Sequence, residues 1–489
     1  CSTAHPFEYR QKYGLDKNTV IEVNEVYWEE YWNYCTFNER FRARFHRVQI
    51  AQYSRQPRPA GEFWIVAHFR WGDVATSSVD APNVRAGVGL SQLAKCSAKF
   101  VEANPGARVF LISEGNQDEF ENEFFYDLKV GFDTETCLVT HMDYVDAPMM
   151  FNDEYSYRGS MSATMRNHFS RFSNDIKRTL PITPKVLEIG SNDGVFIKNW
   201  DTKTSFAVEP CGNFAKETND LGYKTYGDFW NRDLAENIGQ ENGYMDLIFA
   251  ANCICHIPDL DETFSAVESL LKPHGLFVFE DPSLASMINN NSYDQIYDEH
   301  PHIFSVMALS KLLKRNGLEI VRVDSLSVHG GSNRIWAQKI GHNTRPDIDR
   351  HLDYERVIGL DNIECFNRFA ERVAQSKEDL RNLLTRCADQ DKKVISYGAT
   401  SKSTTVFNYC DIGPDLISCI TDTTPEKQHK YSPGMHIPIV PQEDSDVFDY
   451  AFLGAWNFAE EIIKELKENY NYRGKIIIPI PELKVIEIS

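Results

Sequence analysis

Short apolar runs alternate with longer amphipathic stretches along most of the chain, a pattern that predicts parallel β-sheets connected by helices. The runs KVLEIG, SFAVEP, MDLIFAANC and GLFVFED follow one another at regular intervals in the middle of the chain. A second series, KKVISYGATSK, LISCITD, YAFLGAW and KIIIPIP, begins at residue 391. Both series are typical of Rossmann-like α/β folds that bind nucleotides.

Two other regions follow different patterns. Residues 1–130 contain FWIVAHFR and ARVFLISE with a helix-like stretch between them, which predicts a smaller βαβ segment. Residues 346–390 are highly charged, with Leu, Ile and Phe at helical spacing, and predict a helical connector. The predicted organisation is an N-terminal α/β segment (1–130), an α/β domain (131–345), the connector (346–390) and a C-terminal Rossmann-like domain (391–489).

Composition narrows the class of protein. A chain of 489 residues is too long for one core, and 42% hydrophobic residues predict globular domains. The net charge of −20 disfavours nucleic acid as a partner, because phosphate binding requires a basic surface. Eleven scattered cysteines without a CxxC pair indicate reduced thiols and a cytoplasmic location. No apolar run approaches the ~20 residues of a membrane span.

A glycine turn in KVLEIGSNDGVFIKNW predicts a cofactor site in the middle domain. Gly190 and Gly194 let the backbone approach a ligand, with Glu188 and Asn192 in the same loop. Glu209 ends the next strand, where a carboxylate can bind a ribose. The loop is not G-x-G-x-x-G, which favours S-adenosylmethionine over NAD. Further predicted cofactor contacts are Asp228 and Phe229, which could instead be a helix cap and a core aromatic residue, and Asn252.

Several separated motifs resemble those of the sugar C-methyltransferase family. They are ANCICHIPDLDETFSAVESLLKPHGLFVFEDPSL, YDQIYDEHPHIFS and VHGGSNRIWAQ, followed by SYGATSKSTTVFNYCDI and KYSPGMHIPI, which resemble the family's C-terminal substrate-binding domain. The resemblance runs from about residue 137 to the end. It implies that a proton is removed beside the ketone of a nucleotide-linked deoxysugar and that the carbanion is methylated by S-adenosylmethionine.

The family's YxEH signature implies the catalytic residues. Here it comprises Tyr297, Glu299 and His300, with His300 as base, Glu299 orienting the imidazole and Tyr297 donating to the enolate oxygen. A helix over residues 290–300 would place Tyr293, Tyr297 and His300 on one face, with Tyr293 contacting substrate.

Other residues near the signature have open or minor roles. His256, in the family's AHIPD element, fits a catalytic role as well as a structural one. Asp298 and His302 are expected to be bystanders, with His302 at the surface or in packing. In DEYSYRGSMSATM, which also resembles a family element, Tyr155 or Tyr157 could close over the cofactor, or the two could line one face of a strand.

The C-terminal domain is expected to bind the nucleotide. Gly398 and Lys402 of SYGATSK could hold a pyrophosphate, and Asp422 at the end of the next strand could reach a ribose. Tyr431 and His436, in YSPGMHIPI, could cover the ligand. The alternative is a structural domain without a ligand.

The N-terminal region departs from the family. Members usually begin with a zinc-binding domain that carries paired CxxC motifs, whereas here Cys137 stands alone, so no metal site is expected. Instead, AHFRWGDV resembles the H-x-R-x-G-D region of fucosyltransferase-like glycosyltransferases, with His68, Arg70, Gly72 and Asp73 in the matching positions. The resemblance implies that Arg70 binds a sugar nucleotide; the alternative is a surface ion pair with Asp73.

Three functions remain open at this stage. The first is C-methylation of a nucleotide-linked or glycan sugar through an enolate. The second is O-methylation of a sugar hydroxyl by the same site, which would need a base and S-adenosylmethionine but no ketone. The third is a non-catalytic scaffold that binds a sugar nucleotide.

Overall fold

The computed structural model describes residues 130–488, except 143, 342–346, 426, 446 and 469–471, together with the backbone of the strand β1 (Arg108–Phe110). The fucosyltransferase-like segment with Arg70 therefore lies outside the described residues. Nearly all described residues belong to one compact unit, residues 132–141 and 145–489. None of the helices described in it is long and apolar enough to cross a membrane.

The described strands carry the apolar runs that the sequence pattern predicts. After β1 they are β2 (Val130–Phe132), β3 (Val139–His141), β4 (Val186–Ile189), β5 (Ser205–Val208), β6 (Lys224–Tyr226), β7 (Met245–Ala251), β8 (Leu271–Pro282), β9 (His302–Ile303), β10 (Leu318–Leu326), β11 (Ser332–Lys339), β12 (Val394–Tyr397), β13 (Ile420–Thr421), β14 (Ile439–Val440), β15 (Tyr450–Leu453), β16 (Lys475–Ile478) and β17 (Lys484–Glu487).

The described helices lie between these strands. They are α1 (Ala147–Met150), α2 (Ala163–Ile176), α3 (Gly212–Asp220), α4 (Arg232–Asn242), α5 (Leu260–Leu270), α6 (Leu284–Asn290), α7 (Val306–Arg315), α8 (Asp349–Ile358), α9 (Ile363–Asp389), α10 (Ser401–Cys410) and α11 (Ala459–Glu468). Short 3₁₀ turns, including Ile254–His256, Tyr293–Gln295 and Val328–Gly330, follow several strand and helix ends.

The middle of the chain forms a seven-stranded sheet with the order β10-β11-β8-β7-β4-β5-β6. Strands β4 to β8 pair in parallel, whereas β11 is antiparallel to both β8 and β10. Residues of β4 and β5 are buried on both faces, which is why these strands are continuous apolar runs. Phe249 of β7 stacks on Phe196 with ring centroids 3.9 Å apart, a core site where truncation to Ala costs about 3–5 kcal/mol.

The C-terminal part forms a second sheet with the order β14-β13-β12-β15-β16-β17. Its strands pair in parallel except for β17, which is antiparallel to β16. Along the chain, α8 and α9 come between the strands of the first sheet and those of the second. They are separated at Gly359, whose φ of +86° is readily adopted by glycine. The stretch predicted as one connecting helix thus contains two.

The prediction of a helix over residues 290–300 is wrong. Helix α6 ends at Asn291, whose left-handed conformation (φ 52°) caps the helix, and only the 3₁₀ turn Tyr293–Gln295 follows. His300 precedes Pro301, and the residue before a proline is disfavoured in α-helical conformation. After this irregular segment the chain enters β9, which pairs with β3.

Candidate functional site

The glycine turn after β4 requires both of its glycines. Gly190 has φ +69°, and a Cβ there would lie 2.6 Å from Cys253 Sγ. Gly194 has φ +78°, and its Cβ would lie 2.9 Å from Thr218 Cγ2. The Ser191 hydroxyl is buried and has no hydrogen-bond partner among the described residues. A closely approached backbone and an orphaned hydroxyl fit a polar ligand at this turn.

Two buried carboxylates organise the same turn. Glu209, after β5, accepts hydrogen bonds from the N–H of Asn192 at 2.6 Å and of Cys211 at 2.9 Å. Glu188 accepts the N–H of Ile197 at 2.9 Å, so it supports the turn from inside the fold. Burial raises the pKa of both carboxyl groups, in Glu188 well above its usual range.

The segment before α2 folds over this turn. Asn192, with φ +48°, donates its amide to the carbonyl of Tyr157 at 2.8 Å and accepts the N–H of Gly159 at 2.9 Å. Asp193 accepts both the backbone N–H and the hydroxyl of Ser160. We call residues 155–160 the strap, because these bonds hold it against the glycine turn.

The remaining predicted cofactor residues follow the neighbouring parallel strands. Asp228 is exposed and Phe229 half-buried just after β6. Asn252 follows β7 with φ +48°, and its N–H donates to the carbonyl of Glu280 at 2.6 Å. These residues lie at the carboxyl edge of the sheet, where open α/β sheets bind ligands.

Tyr297, Gln295 and His300 form a hydrogen-bonded relay. His300 Nδ1 lies 3.0 Å from the carbonyl of Gln295, and a carbonyl can only accept, so Nδ1 carries the hydrogen. Its Nε2, 2.9 Å from the Tyr297 hydroxyl, therefore holds a lone pair and accepts from that hydroxyl. Burial lowers the pKa of His300 well below its usual range and raises that of Tyr297. The imidazole stays neutral and the phenol stays a donor.

His256 and Glu299 flank this relay. The His256 ring stacks on Phe151 at 5.4 Å and on His300 at 5.2 Å. Its Nε2 is buried without a hydrogen-bond partner among the described residues, and burial lowers its pKa to about 4. Glu299 accepts the hydroxyl of Tyr155 at 3.3 Å, so the strap also contacts the signature residues. Burial raises the pKa of Glu299.

The C-terminal domain contributes a buried cation. Lys402 lies in the first turn of α10, and its Nζ is buried without a hydrogen-bond partner among the described residues. Burial lowers the pKa of Lys402, while the nearby carboxylate of Asp294 acts in the opposite direction. Asp294 accepts the indole N–H of Trp456 at 2.7 Å. The charge of Lys402 also contributes to lowering the pKa of His300, after burial and His256, so these two groups share one region.

Sequence reasoning missed several residues of this region. His329 adopts a left-handed conformation (φ 54°), its Nε2 is buried without a partner among the described residues, and burial lowers its pKa to about 4. Gln295 Oε1 is likewise buried and unpaired there. Lys427 lies close enough to Glu299 to act on its pKa. The sequence signal that could have pointed to His329 was the glycine pair that follows it in VHGGSNR. In the structure Gly330 lies so close to Trp456 that a Cβ there would be 2.8 Å from the indole.

Other predicted residues lie elsewhere or serve the fold. Tyr293 does not share a face with Tyr297 and His300: its ring packs on Tyr409 at 5.4 Å and its hydroxyl lies 3.5 Å from Cys410 Sγ, because the α-helix stops before it. His302 is buried, with Nε2 3.1 Å from the Pro258 carbonyl, and belongs to the packing.

Of the residues predicted to bind the nucleotide in the C-terminal loops, Asp422 makes hydrogen bonds within the fold, and Tyr431 and His436 are exposed. Asp422 accepts the N–H of Ala399 and of Thr424, both at 2.8 Å, which fixes the turn at Gly398 (φ +90°). Tyr431 is 65% exposed, and His436 is exposed with φ 52°. Both exposed residues lie in the loop between β13 and β14.

Comparisons with known proteins found matching family models and similar sequences. A family model described as C-methyltransferase C-terminal domain matches residues 327–481, and a methyltransferase-domain model matches residues 157–323. The chain is 32% identical over 380 residues to the C-methyltransferase NovU of Streptomyces niveus, covering 76% of this chain and 90% of NovU. It is 27% identical over 114 residues to the sterol 24-C-methyltransferase ERG6 of Saccharomyces cerevisiae, covering 21% of this chain and 27% of ERG6.

A likeness to solved structures was also found. An S-adenosylmethionine-dependent methyltransferase from Clostridium acetobutylicum aligns with 36% of this chain and 92% of that chain, at 14% identity and a TM-score of 0.28.

Proposed function

The chain belongs to the C-methyltransferase family and uses S-adenosylmethionine, and we propose that it methylates a carbon beside the ketone of a nucleotide-linked sugar, with His300 as the base. The observation that carries this proposal is the hydrogen-bond geometry of His300. Its Nδ1–H is committed to the Gln295 carbonyl, which leaves the Nε2 lone pair to take a proton.

The first step is a proton transfer from carbon. A hydrogen beside a ketone becomes acidic enough for an imidazole base when the resulting enolate oxygen receives a hydrogen bond. The proton moves from the sugar carbon to His300 Nε2, and the C–H electron pair becomes the enolate. The Tyr297 hydroxyl, which donates to Nε2 in the free site, is released to donate to the enolate oxygen.

The second step forms the new carbon–carbon bond. When bound, S-adenosylmethionine would supply an electrophilic methyl group, whose bond to sulfur breaks with the electron pair remaining on the departing thioether. The nucleophilic carbon of the enolate accepts this methyl group while the ketone re-forms. Asn192 and the strap would hold the cofactor against the glycine turn. The Tyr155 hydroxyl, bonded to Glu299, connects this strap with the proton-transfer residues.

The depressed pKa of His300 sets a requirement for the rest of the site. A neutral base is available at pH 7, but the protonated imidazole that it becomes is destabilised by burial. The negative enolate formed beside it offsets this cost, because the neutral reactants become an ion pair. Glu299, the preceding residue, accepts the Tyr155 hydroxyl rather than contacting the imidazole.

The substrate class is inferred from the C-terminal domain. Lys402 Nζ, His329 Nε2 and Gln295 Oε1 are buried polar atoms without partners among the described residues. Buried polar groups are rarely left unpaired in a completed site, so a polar ligand suits them. A nucleotide diphosphate near Lys402 and the turn at Gly398 would place its sugar toward His300.

Product analysis tests this function. The chain is incubated with S-adenosylmethionine and a panel of nucleotide-linked sugars, with and without a keto group, and products are analysed by mass spectrometry and carbon NMR. We expect a 14 Da mass increase only with keto sugars, located on carbon. Methylation of a hydroxyl, or equal turnover of sugars without a ketone, would contradict the proposal.

A further inference from the structure

Three potential metal ligands meet beside the proposed base. Cys255, His256 and His300 each offer one ligand atom, and these atoms lie within 4.8 Å of one another. Cys255 and His256 belong to the 3₁₀ turn after β7, whereas His300 ends the segment before β9. A thiol and two imidazoles are the donor set that suits Zn²⁺.

We propose that Cys255, His256 and His300 bind a Zn²⁺ ion, and that the bound ion inhibits methyl transfer by occupying the lone pair of His300. The binding site stands on geometry alone. Its inhibitory effect rests on the proposed function, in which that same lone pair removes the substrate proton.

The distances require only a modest closure of the cluster. Zinc binds sulfur at about 2.3 Å and imidazole nitrogen at about 2.0–2.1 Å, so tetrahedral ligands lie roughly 3.3–3.6 Å apart. The three atoms, at most 4.8 Å apart, would approach one another by at most about 1.2–1.5 Å. The fourth position stays open, as in zinc sites that keep a place for water or substrate.

The hydrogen bonding of the two histidines suits metal binding. His256 Nε2 is buried without a hydrogen-bond partner among the described residues, so no existing bond of that atom has to break. His300 directs Nδ1–H to the Gln295 carbonyl, the arrangement by which carbonyls orient metal-bound histidines. The Tyr297 hydroxyl, 2.9 Å from Nε2, would be displaced.

Binding also changes the protonation of the cluster. Cys255 is a free, buried thiol, and it binds metal as the thiolate. The S–H proton is therefore released when the Zn–S bond forms, and no oxidant is involved. The sequence-based expectation of no metal site considered CxxC spacing, which cannot reveal ligands far apart in the chain.

Cobalt spectroscopy tests the site without cofactor or substrate. Co²⁺ is titrated into the metal-free chain, and the thiolate-to-cobalt charge-transfer band in the near ultraviolet is followed. We expect a band that saturates at one equivalent, is displaced by Zn²⁺, and is lost in Cys255→Ala. Cys387→Ala, at a buried free cysteine of α9, is the matched control and should retain it. A band unchanged in Cys255→Ala, or no band, would overturn the site.

Zinc inhibition tests the second half of the proposal. Methyl transfer by each variant is normalised to its own rate without metal. Cys255→Ala should raise the zinc concentration for half inhibition by at least about tenfold, since even indirect partners of a metal site change affinity by 10–100-fold. Equal sensitivity of both proteins would overturn the inhibitory role. A cobalt band that depends on Cys255, without zinc inhibition, would overturn the inhibitory role while leaving the metal site, and would also count against His300 as the base.

Discussion

Burial sets the protonation of the histidines around the signature segment. It lowers the pKa of His256 and of His302 to about 4, and that of His300 well below its usual range. These rings are therefore neutral at pH 7, where exposed histidines are partly charged. A neutral imidazole is the form that can accept a substrate proton or a metal ion.

His141 offers a direct test of this effect. Both of its ring nitrogens are buried without partners among the described residues, and burial lowers its pKa to about 3. The folded state then binds fewer protons than the unfolded state between about pH 6.5 and 3, so this residue destabilises the fold as pH falls. His141→Phe should remove that loss.

The measurement compares urea denaturation of the two proteins from pH 7.5 to 4.5. Relative to the natural chain, the free energy of unfolding of His141→Phe should rise by up to about 1.4 kcal/mol per pH unit as pH falls below about 6. Parallel curves for the two proteins would show that His141 titrates normally in the fold.

For single residues, the sequence predicted which residues form the glycine turn, but it did not predict which distant residues surround a buried polar side chain. The glycines and Glu209 were readable because strand, turn and acid follow each other locally. His329 is followed by Gly330, which lies against Trp456, and Lys402 lies near Asp294, so the surroundings of both residues come from distant parts of the chain. No local pattern reports such a contact.

At the scale of elements, the candidate site is positioned by the turns and helix ends of the fold. Asn192 has a left-handed backbone conformation, and its side chain holds the strap through hydrogen bonds with the backbone of Tyr157 and Gly159. The signature segment likewise depends on the end of α6 at Asn291, which the sequence did not predict, because helical spacing of tyrosines and histidine resembled a helix face.

Asn192→Asp tests the strap. Aspartate tolerates the left-handed conformation but cannot donate to the Tyr157 carbonyl, and its charge would face that oxygen. We expect the affinity for S-adenosylmethionine to fall about tenfold, as for the loss of one partly buried hydrogen bond. Calorimetry gives the dissociation constant. Asn316→Ala, at the end of α7, removes an asparagine far along the chain and should bind normally; equal affinities of all three proteins would contradict the strap's role.

In the molecule as a whole, we expect the proposed substrate to bind between residues of the seven-stranded sheet's domain and residues of the C-terminal domain. The apolar runs predicted each sheet, because buried parallel strands have a local signature. They could not predict that the charge of Lys402, in α10, would help to lower the pKa of His300, since the two residues lie far apart in the chain.

Lys402→Met tests whether the C-terminal domain binds the substrate phosphate. The substitution keeps much of the side-chain volume but removes the cation, so the substrate phosphate would lose a charge-assisted hydrogen bond worth about 1.5–3 kcal/mol. We expect the KM for the nucleotide sugar to rise about 10–100-fold. The affinity for S-adenosylmethionine should not change. Lys467→Met, at an exposed lysine of α11, is the control, and the same KM in both variants would exclude Lys402 from the substrate site.

The central claim is that His300 removes a proton from carbon. The most direct measurement is solvent deuterium exchange into the keto sugar, followed by NMR without S-adenosylmethionine. The natural chain should exchange the hydrogen beside the ketone, and His300→Asn should exchange it about 10²–10⁴-fold more slowly while binding S-adenosylmethionine normally. Exchange that persists at the natural rate in His300→Asn would contradict the account.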